Sequence, residues 1–205
     1  MIQLFTDKSP EAFKTMIALE ELCIPYSLHS VTFCREENRN SEPYHRNLCG
    51  HTSAFVDNSA GVTLFESASM LLYLAEKTGR LLPFSFKARW EAVQWLILPE
   101  VTPTSWKQVR FDNLVANRYA ENIIRNHLLE NNIFTKLNNR LATQPYLAGD
   151  GYSIADIANF NLTYMARIIN FDFSAYQNLN SWHERVLIRP AVKKCIDLLT
   201  STTEM

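Results

Sequence analysis

The run Val62-Thr63-Leu64-Phe65 is a short apolar strand that passes without a linker into a helix whose first turn carries Glu66 and Ser67 and which runs to Gly79. A strand this short is stable only inside a sheet, and the helix carries Met70, Leu71, Leu74 and Ala75 at spacings that line one face. Gly79 then supplies the stop. The pair therefore demands a helix laid on a sheet. Its junction also has chemical character. A helix start presents unpaired backbone N–H groups and the positive end of the dipole, a seat for a carboxylate. Ser67 adds a hydroxyl, and Glu66 can pair with an ammonium. An amino-acid head group, with both charges on one carbon, suits that seat. A plain capped helix accounts for the same residues, since serine is a preferred cap.

Taken in order, Ile2 to Phe5 reads as a first strand and Thr6 to Pro10 as the loop after it, with Ser9 suited to cap a helix and Pro10 to its first position. That helix runs to Leu22, with Phe13, Met16, Ile17 and Glu20 on one stripe, and ends before Pro25. Tyr26 to Thr32 reads as a second strand. Phe33 to Leu48 is polar and irregular, with room for a short helix near Pro43 to Asn47. Ala54 to Asp57 and Val62 to Phe65 flank a hairpin-length turn. The order is βαβ, hairpin, helix, and a right-handed crossover places the first two strands side by side in parallel.

Beyond Phe84 no strand pattern recurs. Ser85 to about Leu98 is predicted helical, with Trp90, Val93, Gln94 and Ile97 at helical spacing, and Pro99 and Pro103 kink or interrupt the chain after it. Asn117 to Ala142 is predicted as one long helix burying Tyr119, Ile123, Leu128, Ile133, Phe134, Leu137 and Leu141. Ser153 and Asp156 have the spacing of a capping box at the next helix start, and Tyr152 with Ile157 that of a hydrophobic staple. Two further helices complete the chain, one through Trp182 and one from Pro190 to about Leu199. The predicted fold is a small α/β domain, residues 1–80, and an all-α domain, residues 86–205.

Composition narrows the function. Of 205 residues 47% are hydrophobic and 20% charged, with a net charge of −1 and no charge runs, so no nucleic-acid or anionic-membrane surface is expected. No stretch approaches the length of a membrane span, and Met1 leads directly into the first strand without a signal peptide; the expected location is cytoplasmic. Cys23, Cys34, Cys49 and Cys195 lack CxxC spacing and read as free thiols, with Cys23 and Cys195 expected in the core. No grouping has metal-ligand spacing, so no metal is expected.

With these landmarks placed, the chain resembles the cytosolic glutathione transferases, which join a thioredoxin-like domain to a helical one. The likeness is strongest to the Nu class and the yeast Ure-type proteins. It is carried by Ile17-Ala18-Leu19-Glu20-Glu21-Leu22, by Phe65-Glu66-Ser67 with Leu71 to Gly79, by Gln94-Trp95-Leu96 and by Tyr146 to Ala158, and extends through Trp182 to Arg185 and Arg189 to Val192. It implies that Glu66 and Ser67 grip the γ-glutamyl head of glutathione. It also implies a homodimer, and a small electrophilic second substrate in a cleft lined by Trp106, Lys107, Arg110, Phe111 and Tyr164.

Two departures bear on the chemistry the resemblance implies. The family's Asn-Pro-x-Gly-Lys-Ile/Val-Pro is here Asn47-Leu48-Cys49-Gly50-His51-Thr52-Ser53. Ser53 replaces a proline that is normally cis, and a cis bond before another residue costs about 2.5–4 kcal/mol. A trans Thr52–Ser53 bond is expected, which alters the backbone contact of Thr52 with the cysteinyl part of glutathione. His51 replaces lysine as a partner for the glycyl carboxylate, with pH dependence, or is an exposed loop histidine. The catalytic loop reads Ser9-Pro10-Glu11 where relatives have Thr-Pro-Asn. The Ser9 hydroxyl suits a thiolate, or is a plain cap; the Glu11 carboxylate opposes thiolate formation unless it serves as a base or pairs with a substrate cation. No cysteine lies in this loop, so thiol exchange through a protein cysteine is not expected. The implied activity is conjugation, thiol removal or isomerisation with glutathione; the alternative is a repurposed or non-catalytic protein, including a biosynthetic enzyme that works without glutathione.

Overall fold

A computed structural model describes residues 1–6, 10–30, 53–101, 122 and 132–200. Four strands, β1 (Ile2–Thr6), β2 (Tyr26–Ser30), β3 (Ala54–Asp57) and β4 (Val62–Phe65), form one sheet in the order β2-β1-β3-β4. β1 pairs with β2 in parallel, with Ile2 opposite Tyr26, across the helix α1 (Pro10–Leu22), as the βαβ order predicts. β3 runs antiparallel to both neighbours, Phe55 facing Leu4 on one side and Leu64 on the other. β1 continues one residue further than the sequence suggested, because Thr6 pairs with Ser30 and is buried.

Helix α2 (Ser67–Thr78) lies against α1 and buries Met70, Leu71, Leu74 and Ala75, the face read from the sequence. Each large apolar side chain so buried contributes about 1.5–3 kcal/mol. Gly79 ends it at φ 64°, in the left-handed region that glycine enters without penalty. The buried carboxylate of Asp57 ties β3 to α2, accepting from Tyr73 Oη at 2.8 Å and from Lys77 Nζ. Burial pushes its pKa up, but the hydrogen bonds from Lys77, Ser59 and Tyr73 outweigh that and hold it well below the usual carboxylate range.

The C-terminal part is helical: α3 (Phe86–Ile97), a 3-10 turn (Leu98–Val101), α4 (Ile133–Leu141), α5 (Ile154–Ile168), α6 (Gln177–Leu187) and α7 (Pro190–Thr200). Its centre is α5, of whose fifteen residues twelve are buried. The capping box at its start forms as predicted, and Asp156 does more than cap. Its carboxylate accepts from Ser153 N at 2.9 Å, from Leu147 N at 3.0 Å and from Trp182 Nε1 at 2.8 Å, joining three segments. Gly149, at φ 60°, packs so closely that a β-carbon there would lie 3.3 Å from Pro83. The two parts join through α1. Phe13 packs on Phe160 and Tyr164 of α5, Glu21 receives a two-pronged bond from Arg189 at 2.6 and 2.8 Å, and the Arg189 guanidinium lies 3.8 Å over the Tyr152 ring.

The structure corrects four expectations. Cys23 is exposed rather than core: it follows the last turn of α1 at φ 56°, where the chain turns away toward Pro25, while Cys195 is buried as expected. The long helix over Asn117 to Ala142 is interrupted at Asn132, whose φ of 48° and ψ of 28° are left-handed, a conformation asparagine tolerates better than most residues. Ile133, Phe134, Leu137 and Leu141 are buried beyond that break, whereas Tyr119, Ile123 and Leu128 lie outside the described residues. In α3 the inward residues are Ala92 and Leu96, and Trp90 and Ile97 face outward, 57% and 48% exposed. Finally, Glu66 stands before the helix rather than in it, and Ser67 does not cap it.

Candidate functional site

Between the last strand residue and the first helical one, Glu66 adopts φ 66° and ψ 121°. A positive φ in a residue with a β-carbon costs about 1–3 kcal/mol and persists where the surroundings over-determine it, most often at ligand sites. The Glu66 side chain is exposed and makes no cap bond. Its carbonyl organises the turn, accepting from Ser69 N at 3.1 Å, Met70 N at 3.2 Å and Ser69 Oγ at 2.8 Å. The strained backbone thus sets an exposed acidic residue beside the positive end of α2.

Ser67 follows, 1% exposed. Its hydroxyl faces other elements: Lys14 Nζ of α1 donates to it at 3.3 Å, and the hydroxyl donates to Glu100 Oε1 of the 3-10 turn at 3.4 Å. Lys14 and Glu100 are themselves paired at 2.7 Å. An ammonium, a carboxylate and a hydroxyl from three elements therefore meet at one helix start. Removing such charges from water costs several kcal/mol per ion, so a buried pair is weak evidence for stability. The helix-start N–H groups beside this pair suit an anionic group.

Neither Lys14 nor Glu100 was singled out in the sequence. Lys14 left a signal, a lysine inside the run from Ala12 to Leu19 whose every residue proves buried. Glu100, a residue after one proline and in a stretch with a second, left none, because only the fold, which packs the 3-10 turn on α3 and α5, brings its carboxylate to Lys14 and Ser67.

Of the remaining expected residues, Tyr164 is half-buried on α5, its ring 5.2 Å from that of Phe13, the neighbour of Lys14; burial raises its phenol pKa. Ser53, immediately before β3, is buried, and its hydroxyl has no hydrogen-bond partner among the described residues. Ser9, His51, Thr52, Trp106, Lys107, Arg110 and Phe111 lie outside the described residues, as does the side chain of Glu11, whose backbone belongs to the first turn of α1. Among the described residues no group of three or more His, Cys, Asp or Glu is placed to hold a metal ion, and no helix is long and apolar enough to cross a membrane.

A mixed four-stranded sheet joined to a helical domain defines a glutathione transferase fold. Known proteins agree. Residues 126–190 match the family model for the glutathione S-transferase C-terminal domain. The chain is 30% identical over 203 residues to the disulfide-bond oxidoreductase YfcG of Escherichia coli K12, covering 96% of this chain and 94% of that protein. Among solved structures it resembles the glutathione transferase URE2P8 of Phanerochaete chrysosporium with oxidized glutathione, at 25% identity and a TM-score of 0.78, covering 97% of this chain and 94% of that one. It also resembles a glutathione transferase of Burkholderia graminis with two glutathione molecules bound per subunit, at 26% identity and a TM-score of 0.75, covering 99% and 89%. The chain belongs to the glutathione S-transferase family.

Proposed function

We propose that this protein binds glutathione, or a glutathionylated molecule, at Glu66 and Ser67 and uses it on a small electrophile, by conjugation, thiol removal or isomerisation. The observation that carries this reading is the Ser67 hydroxyl, buried at a helix start within 3.4 Å of both the Lys14 ammonium and the Glu100 carboxylate. The γ-glutamyl head is a zwitterion: the N–H groups at the start of α2 suit its carboxylate and the Glu66 carboxylate its ammonium, while the Lys14–Glu100 pair holds Ser67 in place. Relatives crystallised with glutathione or its disulfide support the choice of ligand. On this reading Ser9 activates the thiol and Glu11 modulates it, His51, Thr52 and Ser53 hold the rest of the tripeptide, and Trp106, Arg110, Phe111 and Tyr164 line the second-substrate pocket. The domains divide at 1–80 and 86–205, and the protein works in the cytoplasm.

A homodimer fits the surface. Phe86 and Trp90, one helical turn apart, and Ile97 stand exposed on α3, next to an exposed Phe84. A contiguous apolar face of this kind suits an interface.

The buried Ser53, in place of the family's proline, favours one alternative: a repurposed member that keeps the ligand seat without transferase turnover, or a biosynthetic enzyme that works without glutathione. Calorimetric titration with glutathione tests the main reading. Micromolar to millimolar binding by the wild type, weakened at least tenfold by Ser67→Ala or Glu66→Ala, is expected; no heat of binding from the wild type refutes it. Conjugation of an aryl halide then separates enzyme from repurposed relative, since robust turnover excludes the latter.

A further inference from the structure

The hydrogen-bond ladder of α3 runs out at residue 99. Leu98 N–H donates to Gln94 O as an α-helix requires, and the next bond of the ladder would run from residue 99 to Trp95 O. Pro99 has no N–H to give. The carbonyl is served from another helix instead: Asn159 of α5 donates to Trp95 O through Nδ2 at 2.8 Å. The same nitrogen donates its second hydrogen to Ala155 O, one turn back in its own helix, at 2.9 Å. Both acceptors are carbonyls, so the nitrogen and not the oxygen of the amide must face them. Asn159 is fully buried, and its Oδ1 has no hydrogen-bond partner among the described residues. A buried oxygen left unpaired works against stability, and an apolar side chain would fill the place without that loss. What the asparagine adds is the donor that Pro99 lacks.

We propose that Asn159 is a positioning residue for the ligand seat at Ser67: by replacing the missing N–H it fixes where α3 tightens into the 3-10 turn, and so where Glu100 meets Lys14 and Ser67. This rests on the glutathione reading above and adds to it a residue that touches no ligand. Glu100 follows Pro99, and its Oε1 lies 2.7 Å from Lys14 Nζ and 3.4 Å from Ser67 Oγ. A 3-10 turn advances about 120° and 2.0 Å per residue, against about 100° and 1.5 Å in an α-helix. From Leu98 to Glu100 the difference accumulates to about 60° and 1.5 Å. A contact as short as that between Glu100 and Lys14 does not survive such a displacement. Lys14 is placed from the same helix as Asn159. Its neighbour Phe13 packs on Phe160 and Tyr164 of α5, with ring centroids 6.3 and 5.2 Å away, and Phe160 adjoins Asn159 in sequence. α5 thus holds both ends of the Lys14–Glu100 pair, one through Phe13 and the other through the bond from Asn159 to Trp95.

The discriminating variant is Asn159→Ser, because a serine hydroxyl in mid-helix bonds the carbonyl four residues back and does not reach Trp95. Glutathione affinity is measured by calorimetry for wild type, Asn159→Ser, Glu100→Gln and the double variant, with a thermal melt of each. Asn159→Ser is expected to bind about three- to tenfold more weakly, the range that one hydrogen bond supplies. In the Glu100→Gln background the same change is expected to weaken binding less than about twofold, because the carboxylate it positions is already gone. Full glutathione affinity in a folded Asn159→Ser overturns the proposal, whatever its melting midpoint. So do losses that multiply in the double variant, since they make the effect of Asn159 independent of Glu100. Should Asn159→Ser not fold, adding Pro99→Ala, which returns an N–H to residue 99, is expected to restore a folded protein that binds glutathione; failure of that rescue overturns the proposal as well. If the wild type does not bind glutathione, the glutathione reading fails and the positioning role fails with it; if the wild type binds and Asn159→Ser matches it, only the positioning role fails.

Discussion

Truncating Asp156 to alanine removes the acceptor on which the helical domain converges. Its carboxylate, fully buried, accepts from Trp182 Nε1 at 2.8 Å, Leu147 N at 3.0 Å, Ser153 N at 2.9 Å and Ser153 Oγ at 3.2 Å. Trp182 and Leu147 are themselves fully buried, so their N–H groups lose their acceptor where water does not reach. Two buried donors left unpaired cost about 1–3 kcal/mol each and the lost cap about 1 kcal/mol more. Asp156→Ala should therefore lose about 3–7 kcal/mol in urea unfolding at pH 5, a large share of the 5–15 kcal/mol or so typical of a folded protein. Asp156→Asn retains an oxygen for Trp182 and Leu147 and should lose about 1–2 kcal/mol. The pH dependence sharpens the test. Burial lifts the Asp156 carboxyl to about 6, against the lowering effect of the hydrogen bonds from Leu147, Trp182 and Ser153. A raised folded pKa means that the folded chain holds this proton more tightly than the unfolded one. That contribution is fully present below about pH 4 and is lost as pH rises through about 6, a swing of about 3 kcal/mol. Asp156→Asn has no proton to exchange, so its deficit relative to wild type should shrink between pH 4 and pH 7. An alanine variant within about 1 kcal/mol of wild type, or a deficit of the asparagine variant that does not change with pH, would refute the reasoning.

The same geometry sets two further outcomes. Asp57 has the opposite sign: its folded pKa is depressed, so its contribution is present above about pH 4 and lost as pH falls through that value toward the folded one. Lys77→Met should lower the neutral plateau of a stability–pH curve while leaving its acid end little changed, which flattens the acid limb, and an unaltered acid limb counts against the Lys77–Asp57 bond as its cause. Trp90→Glu, placing a charge amid Phe86 and Ile97, should convert a dimer to monomer by light scattering with the far-ultraviolet circular dichroism intact; a variant that remains dimeric removes this face of α3 from the interface.

Elements set by local pattern were legible in the chain itself. The strands Ala54–Asp57 and Val62–Phe65, the buried face of α2 and its stop at Gly79, and the capping box of α5 arise from alternation, helical period and backbone preference, which act over a few residues. That a helix begins at Ser67, just after Glu66, was legible for the same reason, and its orphan N–H groups belong to the helix start itself. Tertiary structure decided the rest. Asn132 could break a helical period because its own left-handed conformation, invisible to a pattern of apolar spacings, precedes a new helix start at Ile133. Cys23 is apolar by neighbourhood yet exposed, because α1 ends there and the chain leaves the core. The helix start gained Lys14 and Glu100 only through the tertiary fold, which packs α1 on α2 and brings residues 53 and 33 positions from Ser67 into one cluster. A charge's place along the chain carries its sign, but its partner is chosen by packing in three dimensions, and the electrostatics of this site belong to the fold.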